Sequence, residues 1–380
     1  MKFSSFDLPE SLVKALSDNG ISDAYPIQQE VIPAVLKGRD ILGIAQTGSG
    51  KTLSFVLPIL VKLQKISKSQ NRHVAVLVMV PTRELAVQVQ DVFQLYNNLL
   101  ELRIKTLAVF GGVSINPQMI ALQNVEVLIA TPGRLLELVE SKAVSLSEVK
   151  ILVLDEADKM LNLGFKDEMD KVFDMLPSKK QNLLFSATLS PEIENINRVL
   201  LKKPLVIKIE KEQGKTNLIN HVAYKVTEEK KGPLLRYLIK SRNLTQVLVF
   251  VSSTYKADNV VDKLKKNGIE AMAIHSKKSQ GARTEALSLF KSGKLNVLVA
   301  TDLLARGIDI EYLPCVINYE LPRSPKEYIH RIGRTGRAES SGDAIAFVTA
   351  DDLTHFKVIL KKMDAWIDLI DSEEINLHGF

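Results

Sequence analysis

From residue 41 to residue 348, short apolar, β-branched runs alternate with longer stretches of helical period, and this alternation restricts the fold more than any other feature. In the first half the runs fall at 41–45, 75–80, 106–110, 125–130, 151–154, 182–186 and 205–209. In the second they fall at 222–226, 247–251, 271–274, 297–300, 316–319 and 344–348. Each is apolar almost throughout, as a strand covered on both faces must be. The stretches between them carry helical spacing: in 82–96, Leu85, Val89, Val92 and Tyr96 recur three and four residues apart. Strands alternating with helices predict an α/β fold, with a mostly parallel sheet and helices on both faces. The scheme runs through twice, which predicts two such domains in tandem.

At 380 residues the chain is longer than one core usually holds. The segment 209–217 is polar, contains glycine and has no period, so it is predicted to link a domain over 1–208 to one over 218–380. A surface loop within one larger domain is the alternative. A closing helix is predicted over 354–369, with Trp366 on its packed face. No apolar run approaches the roughly 18 residues needed to span a membrane. The first residues lack the apolar core of a signal peptide, and the single cysteine, Cys315, excludes an internal disulfide framework. These features predict a soluble, cytoplasmic protein, with a monomer as the default. A net charge of +6 permits a polyanionic partner without requiring one.

Three clusters carry chemistry. Ala45, Gln46, Thr47, Gly48, Ser49, Gly50, Lys51 and Thr52 follow the run 41–45 and precede a helical stretch. Small residues there let backbone N–H groups crowd round a triphosphate at the positive end of the following helix. Lys51 would reach the β- and γ-phosphates and the Thr52 hydroxyl would ligate Mg²⁺. A glycine-rich turn with a stray lysine is the bland alternative, and the flanking strand and helix argue against it. At the end of the run 151–154 stand Asp155, Glu156, Ala157 and Asp158. An acid at that carboxyl edge can hold Mg²⁺, and Glu156 can orient or deprotonate an attacking water. Alone these acids could be a solvated helix start; beside a phosphate loop the metal site is favoured. The third cluster is His330, Arg331, Gly333, Arg334, Gly336 and Arg337. Its guanidinium groups either stabilise charge developing on a γ-phosphate or grip a nucleic-acid backbone. The first reading would set ATP between the two domains.

In this order and register the residues resemble the DEAD-box RNA helicases of superfamily two, over 3–360. Asp155-Glu156-Ala157-Asp158 spells the family's name, beside Pro81-Thr82-Arg83-Glu84-Leu85, Gly111-Gly112, Thr131-Pro132-Gly133-Arg134, Ser186-Ala187-Thr188, Gln280 with Arg283, Ala300-Thr301-Asp302, Ala305-Arg306-Gly307-Ile308-Asp309 and the arginine segment. The resemblance implies two tandem RecA-like domains, the first binding ATP and Mg²⁺. It also implies RNA-stimulated hydrolysis driving local, non-processive unwinding or ribonucleoprotein remodelling. An ATP-gated RNA clamp and a DNA-acting translocase of the same superfamily are the alternatives.

The resemblance further implies individual roles. Gln28 would bond the adenine edge and Phe3 would stack on the base, with Phe6 as competitor. Ile21, Ala24 and Tyr25 depart from the family's usual aromatic, Pro and Thr around that motif. Asp309 would bond the ribose, and Arg334 and Arg337 the γ-phosphate, with Arg331 an internal brace. Ser186 and Thr188 would couple hydrolysis to strand separation through the acidic motif and His330. RNA would be met by Pro81, Thr82, Arg83, Gly112, Thr131 and Arg134, and by Ser252, Arg283 and Thr301. Such groups address phosphates and 2′-hydroxyls, so little base preference is expected.

Overall fold

The computed structural model describes residues 1–46, 48–65, 71–209, 219–302, 310, 313–336 and 342–380. The chain divides into two compact units, Met1–Lys211 and Glu212–Phe380. Apart from residue 209, the expected linker lies outside the described residues.

The first unit holds seven strands: β1 (Ile41–Ile44), β2 (Val76–Met79), β3 (Thr106–Val109), β4 (Val127–Ala130), β5 (Ile151–Leu154), β6 (Gln181–Ser186) and β7 (Leu205–Lys208). They form one sheet in the order β3-β4-β2-β5-β6-β1-β7, and every pairing is parallel. β2, β4 and β5 are buried at every residue, which explains why their sequences show no alternation. Each buried Val, Ile or Leu contributes about 1.5–3 kcal/mol relative to an exposed position. One face packs on a cluster containing Ile27, Phe55, Val78 and Phe185, the other on one containing Leu77, Leu128, Leu152 and Leu184.

The second unit repeats the design with β8 (Ile219–Lys225), β9 (Val247–Val251), β10 (Ala271–Ile274), β11 (Val297–Thr301), β12 (Cys315–Asn318), β13 (Gly342–Val348) and β14 (Leu369–Asp371). Its order is β10-β11-β9-β12-β13-β8-β14, again parallel throughout. Counted from the first strand of each unit, the two orders are identical. Cys315 is buried in β12, and burial pushes its thiol up to about 12.

The expected closing helix is wrong in its second half. The helix spans Leu353–Met363 and stops where Asp364 takes the left-handed conformation at φ 51°. That turn breaks the helical register, so Ile367 rather than Trp366 packs on the core, and Trp366 is 88% exposed. The chain then pairs as β14 beside β8, a strand too short to show in the apolar pattern. Among the described residues no helix is long and apolar enough to cross a membrane.

Candidate functional site

β5, β6 and β1 are neighbours, so their carboxyl ends bring together the acidic motif, Ser186–Thr188 and the glycine-rich loop. Crevices beyond the carboxyl ends of parallel strands are where such sheets bind ligands. Ala45 N–H donates to the Ser186 carbonyl at 3.0 Å, which ties the loop to β6. Gly48 and Gly50 have φ 79° and 85°, a conformation that favours glycine, and the helix Lys51–Leu63 starts directly after. Thr47 lies outside the described residues. Gln46 and Gly48 are exposed, while Ser49 and Thr52 are half-buried.

Lys51 is buried, and its ammonium donates to the carbonyls of Ala45 at 2.7 Å and Gln46 at 2.8 Å. Burial pushes its pKa down, opposed by the charges of Asp155 and Glu156. Asp155 is 2% exposed, and burial pushes its carboxyl up to about 6. Its Oδ1 has no partner among the described residues. Among those residues no group of three or more His, Cys, Asp or Glu could hold a metal alone. A desolvated carboxylate oxygen beside a glycine-rich loop nevertheless suits Mg²⁺, which takes one or two protein carboxylates and completes its shell with other oxygens and water.

Glu156 sits at φ 55°, left-handed and strained for a residue with a side chain, and caps the helix Ala157–Asn162. Its Oε1 accepts from Lys159 Nζ at 2.7 Å, and both side chains are buried. Oε2 is buried without a partner among the described residues. Asp158 Oδ2 accepts from the Thr188 hydroxyl at 3.0 Å, and Ser186 Oγ donates to the Thr188 carbonyl at 2.7 Å. The acidic motif and the β6 end are therefore directly joined.

Gln28 is fully buried: Oε1 accepts from the Tyr25 N–H at 2.9 Å and Nε2 donates to the Gly50 carbonyl at 3.0 Å. The residue expected to read adenine thus also braces the loop. Phe3 is 2% exposed and edge-on to Phe6 at 5.9 Å, both within the cluster of Ile27 and Phe55. As the unit stands, the ring expected to stack on the base is a core side chain.

The expected RNA residues of this unit line the other half of the same edge, where β3, β4 and β2 adjoin. Pro81 is buried, and Thr82 caps the helix Arg83–Asn97 by accepting from the Leu85 N–H at 3.3 Å. Arg83 lies against Gly112, where a β-carbon would collide with its guanidinium; Gly112 itself has φ 73° and is exposed. Thr131 is buried. Arg134, also buried, donates to the Val113 carbonyl and to Glu137, both at 2.8 Å.

In the second unit, Ser252 donates from both its N–H and its hydroxyl to Glu320 Oε2 at 2.7 Å. Lys256 holds the other Glu320 oxygen at 2.7 Å. Thr301 ends β11 and is half-buried, whereas Arg283 is 2% exposed. Arg331 clasps Asp302 through Nε at 2.5 Å and Nη2 at 2.7 Å, bonds Asn318 at 2.9 Å and lies 4.8 Å over the Phe250 ring. It is a brace within the unit. Arg334 is 5% exposed and its carbonyl accepts from the Leu313 N–H at 3.0 Å. His330 is half-buried on the helix Pro325–Ile332. Asp309 and Arg337 lie outside the described residues.

Comparison with known proteins bears on this arrangement. A family model for the DEAD/DEAH box helicase matches residues 25–196, and one for the helicase conserved C-terminal domain matches 229–339. The chain belongs to the DEAD/DEAH box helicase family. The ATP-dependent RNA helicase CshA of Listeria monocytogenes is 39% identical over 359 residues, covering 94% of this chain and 68% of the relative. The DEAD-box ATP-dependent RNA helicase RhpA of Helicobacter pylori is 37% identical over 376 residues, covering 98% and 75%. Among solved structures, S. cerevisiae Dbp5 bound to RNA and ADP BeF3 matches with a TM-score of 0.83 at 28% identity, covering 98% of this chain and 96% of that one.

Two residues of this DEAD-box chain were missed in the sequence. Lys159 carried one available signal, a cation directly after the acidic motif and three residues past Glu156. Glu320 carried none, since an acid after a strand is unremarkable until Ser252 is seen to face it.

Proposed function

We propose that the chain is an RNA-stimulated ATPase that opens short RNA duplexes locally or remodels ribonucleoproteins. The observation that carries this reading is the convergence of Lys51, after β1, with Asp155 and Glu156, after β5, on either side of β6, to which the acidic motif is coupled through Asp158 and Thr188. Residues 1–208 form the ATP-binding domain and 218–380 the C-terminal helicase domain, joined by 209–217. A monomer in the cytoplasm is the working form.

Each group then has a task. Backbone N–H groups from Ala45 to Thr52, including Gln46, Thr47, Gly48, Ser49 and Gly50, surround the phosphates. Lys51 exchanges its two carbonyl partners for the β- and γ-phosphates. Asp155 and Thr52 hold Mg²⁺, which neutralises charge on the β- and γ-phosphates when bound. Gln28 meets the adenine edge from its position against the loop, and Phe3 serves the base only if it leaves the core. Glu156 accepts the proton of the attacking water. Arg334 and Arg337 stabilise charge on the γ-phosphate, and Asp309 bonds the ribose. Ser186, Thr188 and His330 relay the state of the phosphates to the RNA residues.

The RNA set of the first unit is Pro81, Thr82, Arg83, Gly112, Thr131 and Arg134; that of the second is Ser252, Arg283 and Thr301. Both sets occupy the same three adjacent strand positions of their sheets, β3-β4-β2 and β10-β11-β9. Hydroxyls, arginines and backbone N–H groups there suit phosphates and 2′-hydroxyls.

ATPase measured with RNA, with DNA and with neither tests the reading. RNA alone should raise turnover, and Glu156→Gln should keep ATP binding, lose hydrolysis and hold the protein on RNA. Equal stimulation by DNA, or normal turnover by Glu156→Gln, would overturn it.

A further inference from the structure

Lys159 stands four residues past the acidic residue that begins the motif, and it is a buried cation whose desolvation has to be compensated by a partner. Its ammonium meets Glu156 with good geometry, Nζ to Oε1 at 2.7 Å. The left-handed turn at Glu156 lies in the two-residue step from β5, which ends at Leu154, to the helix, which starts at Ala157, and Lys159 follows three residues on from Glu156. The Glu156 carboxylate is thereby divided: Oε1 is held, and Oε2 is buried with no partner among the described residues.

A carboxylate acting as general base needs one oxygen aimed at the water and unencumbered by donors. Left to itself, the terminal torsion of a glutamate is broad, and both oxygens sweep through many directions. A buried ammonium on one oxygen removes that freedom and determines which oxygen receives the proton.

We propose that Lys159 is a positioning residue for ATP hydrolysis: it anchors Oε1 of Glu156 so that Oε2 is the atom that takes the proton from the attacking water. The proposal rests on the reading of Glu156 as the base. In the step itself, a water O–H bond breaks, its proton passes to Oε2 and its oxygen bonds the γ-phosphorus. The bond from that phosphorus to the bridging oxygen breaks, and the electron pair leaves with ADP.

The test uses the full chain with saturating RNA and compares wild type, Lys159→Met, Lys159→Arg, Glu156→Gln and the double variant Glu156→Gln/Lys159→Met. Lys159→Met should lower kcat about ten-fold or more, a fraction of the 10²–10⁴ that a general base contributes, with the KM for ATP within about two-fold. Lys159→Arg, which keeps a cationic donor, should recover most of the loss. The double variant should be no slower than Glu156→Gln alone, because an anchor has no role without the carboxylate it holds. Lys159→Met with wild-type kcat would overturn the proposal. So would a KM that rises in step with the fall in kcat, failure of Lys159→Arg to recover any turnover, or a double variant slower than Glu156→Gln. Normal turnover by Glu156→Gln would instead remove the base itself, and the anchor with it. If Lys159→Met does not fold, the kcat of Lys159→Arg and of Lys159→Gln decides: rescue by arginine alone supports the anchor, and equal rates in both overturn it.

Discussion

In both units a helix with a buried lysine near its start follows the first strand of the sheet: Lys51 after β1, and Lys231 after β8. The surroundings differ. Lys51 rests on two loop carbonyls, and the first turn of its helix carries no acid. Lys231 is paired with Glu228 in its own first turn, near the Tyr319 ring at 5.9 Å, and Glu229 adds a second acid. Acids in a first turn complement the helix dipole and repel an anion; a first turn without them leaves the positive end unanswered. One topology thus yields a helix start closed on itself and another whose first turn holds no acid. Glycine makes the remaining difference, since the loop before Lys51 needs left-handed backbone at Gly48 and Gly50, whereas Val226 and Thr227 lead straight into the second helix.

The sharpest way to break this comparison is to remove each lysine. Lys51→Ala should cost a factor on the order of 10²–10³ in ATP turnover, as loss of a preorganised charge at a reacting phosphate does. Lys231→Met should leave turnover within about two-fold, because its charge is consumed within the unit. Steady-state ATPase with RNA reads both. A large loss from Lys231→Met would mean that the second helix start is not closed.

Gly50→Ala comes next. A β-carbon there would stand 2.5 Å from Gln28 Nε2, and the residue is held at φ 85°. Backbone strain of about 1–2 kcal/mol and a displaced Gln28 should weaken ATP binding about ten-fold or more, read by titration with a fluorescent nucleotide.

Acid should separate the units in opposite senses. His221 in β8 is stacked on Tyr328 and bonded to its hydroxyl at 2.7 Å, and burial pushes its pKa down from 6.5 to about 4. A lowered pKa gives stability that is complete above the unfolded value and is lost as the pH falls, here between about 6.5 and 4. The loss approaches about 3 kcal/mol. Asp155 has a raised pKa, so its burial costs stability at neutral pH and that cost disappears as the pH falls below about 6. Thermal melts from pH 7.5 to 4.5 should therefore show His221→Gln losing less stability on acidification than wild type. An unchanged pH slope would refute the assignment.

The tandem parallel architecture and the nucleotide motifs were legible in the sequence because both are local: continuous apolar strands, a glycine-rich turn, acids at a strand end. Strand order was not, because crossovers join residues far apart. It is this order that divides the first sheet's edge into a half with Lys51 and Asp155 and a half with Arg83 and Arg134. The anchor at Lys159 follows a left-handed turn at a glutamate, which no propensity favours. Trp366 misled for a related reason: its spacing continued a helix that Asp364 ends.

The smallest effect is the most exacting test of the comparison, because it reverses a sign. Gly232 lies inside the helix Glu228–Ser241, and a β-carbon there would meet only the tip of Arg236 at 3.4 Å. If the second helix start is a closed structural element, alanine should simply improve it, adding about 0.5–1 kcal/mol by limiting the unfolded chain. Chemical denaturation should show a higher midpoint with an unchanged slope, and ATPase should stay at the wild-type rate. Gly50→Ala and Gly232→Ala are the same chemical change near the start of topologically matched helices. A loss of function from the first beside a gain of stability from the second would show that the glycine near Lys51 is kept for phosphate and the one near Lys231 is not.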